Sequence, residues 1–178
     1  LIAPGVYDGF SARLVQKMGF KTGSISGAGV SESHLGWADR GVMGLDENVA
    51  NARLLADCCN LLLRADADTG YGSAVSVYCA TRAFEKAGVA AVMFEDQVWP
   101  KRCGHMAGKS VIPANEMVQK VKAACDARLD PEGADEQDEC RGELLRRAAL
   151  GVAEESIDQR LLEAAALHVA VEHELLAH

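Results

Sequence analysis

Short apolar stretches alternate with segments of helical spacing through the first three quarters of the chain. Residues 1–8 read as a short strand ending on Asp8. From Ser11 to Met18, Leu14, Val15 and Met18 fall on one helical face, and Gly19 marks the stop. Thr22 to Ser26 forms a second strand of small residues, running into Gly27-Ala28-Gly29, where glycine lets a backbone approach a ligand closely. A helix is expected from about Asp46, with Val49, Ala52, Leu55 and Ala56 inward. Leu61 to Gly72 is a third strand and its turn, followed by a helix over 73–87 that Gly88 ends. Ala90 to Phe94 is the fourth strand and ends on Glu95-Asp96. After a polar loop, Pro113 opens a helix to about Arg128, with Met117, Val118, Val121 and Ala124 on its inner face.

Strand–helix alternation with short connections predicts a parallel sheet with helices outside it. A (β/α)8 barrel and an open doubly wound sheet both place their sites at C-terminal strand ends. Asp8, Ser26, Asp66, Asp68, Glu95 and Asp96 all fall there. No GxGxxG turn and no phosphate-loop Lys is present, which tips the expectation toward the barrel.

The pattern changes near Pro131-Glu132-Gly133. Residues 133–178 carry 11 acidic and 4 basic side chains, most of the chain's net charge of −8, and no aromatic residue except His. Leu144, Leu145, Ala148, Leu161, Leu162, Ala165, Ala166, Val169 and Leu175 suggest two or three amphipathic helices, with Ser156 as a cap. No strand is expected after residue 132. The division is therefore 1–131, four βα units of a barrel, and 132–178, a helical C-terminal segment. That segment would be either a barrel remainder or helices exchanged between subunits. A closed barrel takes about 250 residues, so only about the first half of one is recognisable.

A hydrophobic fraction of 49% and a charged fraction of 25% are ordinary for a globular protein. The acidic balance argues against nucleic acid as a partner, and no apolar run suits a membrane span. Six cysteines without paired CxxC spacing fit a reducing cytoplasm. An opening on Leu1-Ile2-Ala3-Pro4, with no Met and no signal-peptide pattern, suggests that residues precede it.

Two stretches carry candidate chemistry. In Asp66-Ala67-Asp68, strand alternation would aim both carboxylates into a barrel mouth, with Glu95 approaching from the next strand. Three carboxylates without His or Cys favour a hard cation held largely through water, unless they are merely solvated acids at a loop start. The second stretch, Lys101-Arg102-Cys103-Gly104-His105, sets a thiol among cationic groups that would leave it partly ionised. Cys103 could then be a proton donor or a nucleophile, and the glycine-bearing loop could close over substrate. Arg64 shares parity with Asp66 and should point into the barrel interior, where it needs a partner. His168 and His173, five apart, are read as surface or packing residues, and Trp37 and Tyr71 as pocket or packing residues.

Three stretches together resemble the isocitrate lyase / phosphoenolpyruvate mutase family: Pro4-Gly5-Val6-Tyr7-Asp8 with Ser11-Ala12-Arg13-Leu14, Asp66 to Gly72, and Glu95-Asp96-Gln97 with Pro100 to His105. The last resembles the signature loop of the lyase branch. The resemblance covers residues 1 to about 131. It implies a TIM barrel binding Mg2+, or Mn2+ in its place, near Asp66 and Asp68, with Glu95 and Asp39 reaching the metal through water. It implies substrate contacts at Ser26, Gly27, Ala28, Asp39 and Gly104, and a catalytic group of Cys103, His105, Arg102 and Lys101, with Cys103 as general acid. The implied reaction is carbon–carbon cleavage of a 2-hydroxy di- or tricarboxylate to a 2-oxo acid and a carboxylate. A carboxyphosphonoenolpyruvate mutase and an oxaloacetate hydrolase are alternatives on the same scaffold, and a non-catalytic binding or oligomerisation module is an alternative of another class. The partners implied are a small 2-hydroxy or 2-oxo carboxylate and further copies of the chain, as a dimer or tetramer. The Arg that the family carries on a fifth strand has no counterpart here, because Asp126 to Asp130 reads as a helix end.

Overall fold

The computed structural model describes residues 2–129 and 169–172. In chain order the elements are β1 (Gly5–Val6), α1 (Gly9–Lys17), β2 (Thr22–Ile25), α2 (Gly27–Val30) with a π turn over Ser31–Leu35, α3 (Leu45–Cys58), β3 (Leu62–Asp66), α4 (Ala74–Lys86), β4 (Ala91–Glu95), α5 (Ala114–Ala127) and β5 (Val169–Glu172). The described strands form one sheet in the order β1-β2-β3-β4-β5, every pair parallel. Each strand pairs with the next in sequence and the order never reverses. That is the winding of a barrel, whereas a doubly wound sheet has a switch point.

Strand parity sorts the side chains. Leu63 and Ala65 of β3, with Val92 and Phe94 of β4, are buried in a core shared with Ala52 and Leu55 of α3, Val77 and Phe84 of α4, and Met117 and Ala124 of α5. Phe84 and Phe94 are among the largest side chains fully buried there; burial of such a ring contributes roughly 1.5–3 kcal/mol. The opposite parity, Ser24, Arg64, Asp66 and Glu95, stays half-buried on the other face. Arg64 lies there as expected, and its partner is neutral: Nη2 donates to Ser24 Oγ at 3.1 Å.

Expectations for the first strand and for the tail are corrected. The strand over 1–8 is only Gly5–Val6, because Asp8 leaves it to cap α1. Asp8 Oδ1 accepts from Ser11 N at 2.7 Å while Ser11 Oγ accepts from Asp8 N at 3.1 Å, a reciprocal capping box. Gly27-Ala28-Gly29 lies in a helical turn, begun by Ser26 Oγ accepting from Gly29 N. Residues 169–172 add a strand beside β4, in the register Val92 to Val169 and Glu95 to Glu172, where helix was expected. Valine at 169 and 171 suits a strand as readily as a short helical stripe, so the aliphatic spacing alone did not discriminate. The other proposed tail helices, the boundary near 131–133, His168, His173 and Cys140 lie outside the described residues. No described helix is long and apolar enough to cross a membrane.

Candidate active site

The C-terminal ends of β3 and β4 bring acids together because each strand ends on a carboxylate, Asp66 and Glu95, where the core ends, and the end of β2 lies beside them through Gly27. β3 stops at Asp66, and the chain turns at Asp68 with a left-handed φ of 49°. Simple alternation of Asp66 and Asp68 therefore fails. Asp66 remains half-buried, with Oδ1 accepting from Asp68 N at 3.0 Å and Oδ2 from Gly27 N at 3.3 Å. Asp68 is buried at 2% exposure.

Lys101, from the loop after β4, is turned into these acids. Its ammonium lies 2.7 Å from Asp39 Oδ1, 2.9 Å from Asp68 Oδ1 and 3.8 Å from Glu95 Oε1, with the Lys101 side chain 2% exposed. Burial alone would lower the Lys101 pKa, but Asp68, Asp39 and Glu95 reverse this and raise it well above the ordinary value. The carboxylates are not balanced in return. Burial pushes Asp68 up to about 6 and Glu95 up to about 7, against the attraction of Lys101, and the neighbouring acids add to the rise. One ammonium thus faces Asp39, Asp68 and Glu95, with the charge of Asp66 close to the last two. Although Asp68 Oδ1 is at ion-pair distance, no aligned hydrogen bond reaches it among the described residues.

That surplus of buried negative charge fits a divalent cation. All donors are oxygens, which suits a hard ion with part of its shell supplied by water. No three His, Cys, Asp or Glu side chains converge as a closed ligand set among the described residues.

The loop over 97–111 has a paired base: Val98 N donates to Ser110 O and Ile112 N to Asp96 O, both at 2.8 Å. Trp99-Pro100 is cis. Within the loop Lys109 Nζ donates to Gly104 O, and Arg102 Nη1 donates to Ala107 O at 3.2 Å. Cys103 is half-buried, whereas Arg102, Gly104 and His105 are exposed. The backbone N–H of His105 is the largest influence on the Cys103 thiol and favours ionisation. Burial and the Asp39 carboxylate, as acceptor and as charge, outweigh it, so the pKa is raised. The expected partly ionised thiol is corrected. Lys101 is committed to the carboxylates, and its pull on the thiol is outweighed by burial and by the Asp39 charge, which leaves a protonated thiol suited to donation.

The phosphoenolpyruvate phosphomutase family model matches residues 1–135. The chain belongs to this family. It is 44% identical over 132 residues to 2,3-dimethylmalate lyase of Eubacterium barkeri, covering 74% of this chain and 46% of that protein. It is 45% identical over 128 residues to the chloroplastic carboxyvinyl-carboxyphosphonate phosphorylmutase of Arabidopsis thaliana, covering 71% of this chain and 38% of that one. The chain thus spans less than half the length of these relatives. A crystal structure of a 2,3-dimethylmalate lyase superposes with a TM-score of 0.70 at 29% identity, covering 96% of this chain and 72% of that chain.

Measured against the family expectation, the structure brings Lys101, Asp39, Asp68 and Glu95 into one cluster, puts Cys103 within the influence of the Asp39 charge, and joins Gly27 to Asp66. Ser26 spends its hydroxyl on the α2 cap, and Ala28 is half-buried beside it. The side chains of Arg102 and His105 are not brought into the cluster. Residues that the sequence reading passed over support the acids. Asn48 Nδ2 of α3 donates to Asp66 O at 2.7 Å and to Tyr71 Oη at 2.8 Å, and Lys120 Nζ of α5 donates to Thr69 O at 3.0 Å. A polar residue inside an otherwise apolar helical stripe was the available signal for both.

Proposed function

We propose that this chain carries the cation- and proton-handling part of a carbon–carbon lyase site acting on a 2-hydroxy di- or tricarboxylate. The observation that carries the reading is the buried cluster of Asp39, Asp68 and Glu95 around Lys101, two residues before the half-buried Cys103 in the same loop. Asp66, Asp68 and Glu95 would hold Mg2+, or Mn2+ in its place, in part through water. When bound, the cation polarises substrate oxygen and favours negative charge developing there. Ser26, Gly27, Ala28, Asp39 and Gly104 take the substrate's carboxylate end, and Arg102 and His105 approach from the lid. A base takes the substrate hydroxyl proton, the oxygen forms the carbonyl of the 2-oxo acid as the C–C bond breaks, and the electron pair of that bond stays with the departing carboxylate fragment. Cys103 then delivers its thiol proton to that fragment's carbon. Lys101 has no part in proton transfer, since its ammonium is held charged; it offsets the acids.

The reading includes a dimer or tetramer and a reducing, cytoplasmic setting, in keeping with the free cysteines 58, 59, 79, 103 and 125. Phosphonomutase chemistry is the second reading, supported by the 45% identity to the phosphorylmutase.

Assaying small 2-hydroxy dicarboxylates, phosphoenolpyruvate and oxaloacetate, each with Mg2+, against the 178-residue chain tests both. A 2-oxo acid product, with Cys103→Ser lowering kcat by about 100-fold or more, supports the lyase. Phosphonopyruvate as product supports the mutase, and oxalate a hydrolase. A Cys103→Ser protein at full rate removes the acid role. If no 2-oxo or 2-hydroxy acid binds with Mg2+ present, the chain is a non-catalytic binding or oligomerisation module.

A further inference from the structure

Gln97 stands between the carboxylate cluster and the lid, and the lyase mechanism leaves it unused. It follows Glu95 by two residues and is only 5% exposed. Its Nε2 donates to Glu95 Oε2 and to Arg102 O, both at 2.9 Å, and its Oε1 accepts from Arg102 N at 3.1 Å. Both amide hydrogens are thereby used, and one side chain holds both backbone polar groups of Arg102. The base of the loop does not depend on these bonds, because residues 96 and 98 pair with 112 and 110 through their own backbones. What the Gln97 amide fixes lies further in: a residue flanked by Lys101 on one side and Cys103 on the other.

Only an amide can make this set of contacts. A carboxylate at position 97 could accept from Arg102 N, but it has no hydrogen for Glu95 or for Arg102 O, and it would repel Glu95. Methionine would fill the space and make none of the bonds. The Glu95 oxygen and the Arg102 peptide groups would then lose partners inside the fold, where unpaired polar groups are costly.

We propose that Gln97 is a positioning residue that ties the lid backbone at Arg102 to the Glu95 carboxylate. It thereby sets the Cys103 thiol at a fixed place relative to the cation-side acids. The inference rests on reading Cys103 as proton donor and Glu95 as part of the cation site. Lid placement and the state of Glu95 are then coupled through a single side chain.

The test uses the full chain with Gln97→Met, Gln97→Glu and the double variant Glu95→Gln/Gln97→Glu. Iodoacetamide labelling is followed at each cysteine by peptide mass spectrometry, with Cys59 and Cys125 as internal reporters of general loosening. Labelling of Cys103 should accelerate about fivefold or more in both single variants, the opening expected from losing one net hydrogen bond. Cys59 and Cys125 should keep their rates. The double variant restores a donor at 95 and an acceptor at 97, and should return Cys103 labelling part of the way to the original rate. In the unsubstituted chain, the Arg102 amide should exchange its hydrogen more slowly than those of Gly104 and His105. This second measurement holds even if a variant fails to fold. Unchanged Cys103 labelling, parallel acceleration at Cys59 and Cys125, or an unprotected Arg102 amide would each overturn the proposal. A Mg2+ titration of the unsubstituted chain separates the two ideas: no binding removes the lyase reading and leaves the labelling result standing.

Discussion

Lys101 Nζ lies 2.9 Å from Asp68 Oδ1, and neither side chain exposes more than 3% of its surface. The pair joins the loop after β4 to the turn after β3, and Asp39 meets the same ammonium at 2.7 Å. Loop and acid cluster are therefore a single electrostatic unit.

Removing the ammonium should be expensive, because a buried charge stripped of its partner keeps its desolvation penalty. Lys101→Met at pH 8 without divalent cation is expected to lose roughly 3 kcal/mol of stability. Mg2+ should recover more of the midpoint in the variant than in the parent, since the cation supplies the charge that was lost. Urea denaturation with and without Mg2+ measures both quantities. A variant as stable as its parent in the absence of cation would show that the cluster carries no net repulsion.

Acid–base linkage gives a second expectation. Asp68 and Glu95 are raised to about 6 and about 7, from ordinary values of 3.8 and 4.5. The folded state therefore holds these protons more tightly than the unfolded chain does. The stability they contribute is complete below about 4 and is lost as pH rises through 6 and 7. Glu95→Gln cannot titrate at that position, so its stability should fall less than the parent's between pH 5 and pH 8. Parallel denaturation curves across that range would contradict the raised value for Glu95. Mg2+ should oppose the decline in the parent, most strongly at pH 8, where protons no longer compete with it.

The motif chemistry was legible because the acids stand at strand ends, where alternation changes character. Asp66, Asp68, Glu95 and the Lys101–His105 loop could all be placed before any fold was known. The polar members of the helix faces were less legible. On α3 the expected face holds, with Ala52 and Leu55 buried and Val49 and Ala56 packed against the core, but Asn48 and Asn51 are buried beside it. On α5, Lys120 is buried beside Met117, Ala124 and Ala127. Asn and Lys in a core stripe disguise its period, and they sit there because they serve the β3 turn. The ionisation of Cys103 was also beyond sequence reasoning. Lys101 and Asp39 are far apart in the chain, and only folding decides which of them the other groups meet. Strand β5 was missed because four residues with two valines carry too little pattern to separate strand from helix.

Gly41 offers a test of how the Asp39 loop seats the lid. Its φ is +68°, and a Cβ there would meet the Trp99 ring at 2.9 Å and Lys101 N at 3.3 Å. Gly36 has nearly the same φ, +67°, yet nothing lies within 4 Å of its Cβ position. Alanine at either site meets the left-handed penalty, on the order of 1–2 kcal/mol, but only Gly41→Ala must also displace Trp99. In a Trp37→Phe background, leaving Trp99 as the sole tryptophan, Gly41→Ala should shift the emission to the red as the ring moves into water. Gly36→Ala should leave it in place. Gly41→Ala should also weaken Mg2+ binding, because Lys101 and Asp39 lose their register with Asp68. Identical emission and affinity in the two variants would mean that the Gly41–Trp99 contact contributes nothing to lid placement, and that only the backbone penalty remains.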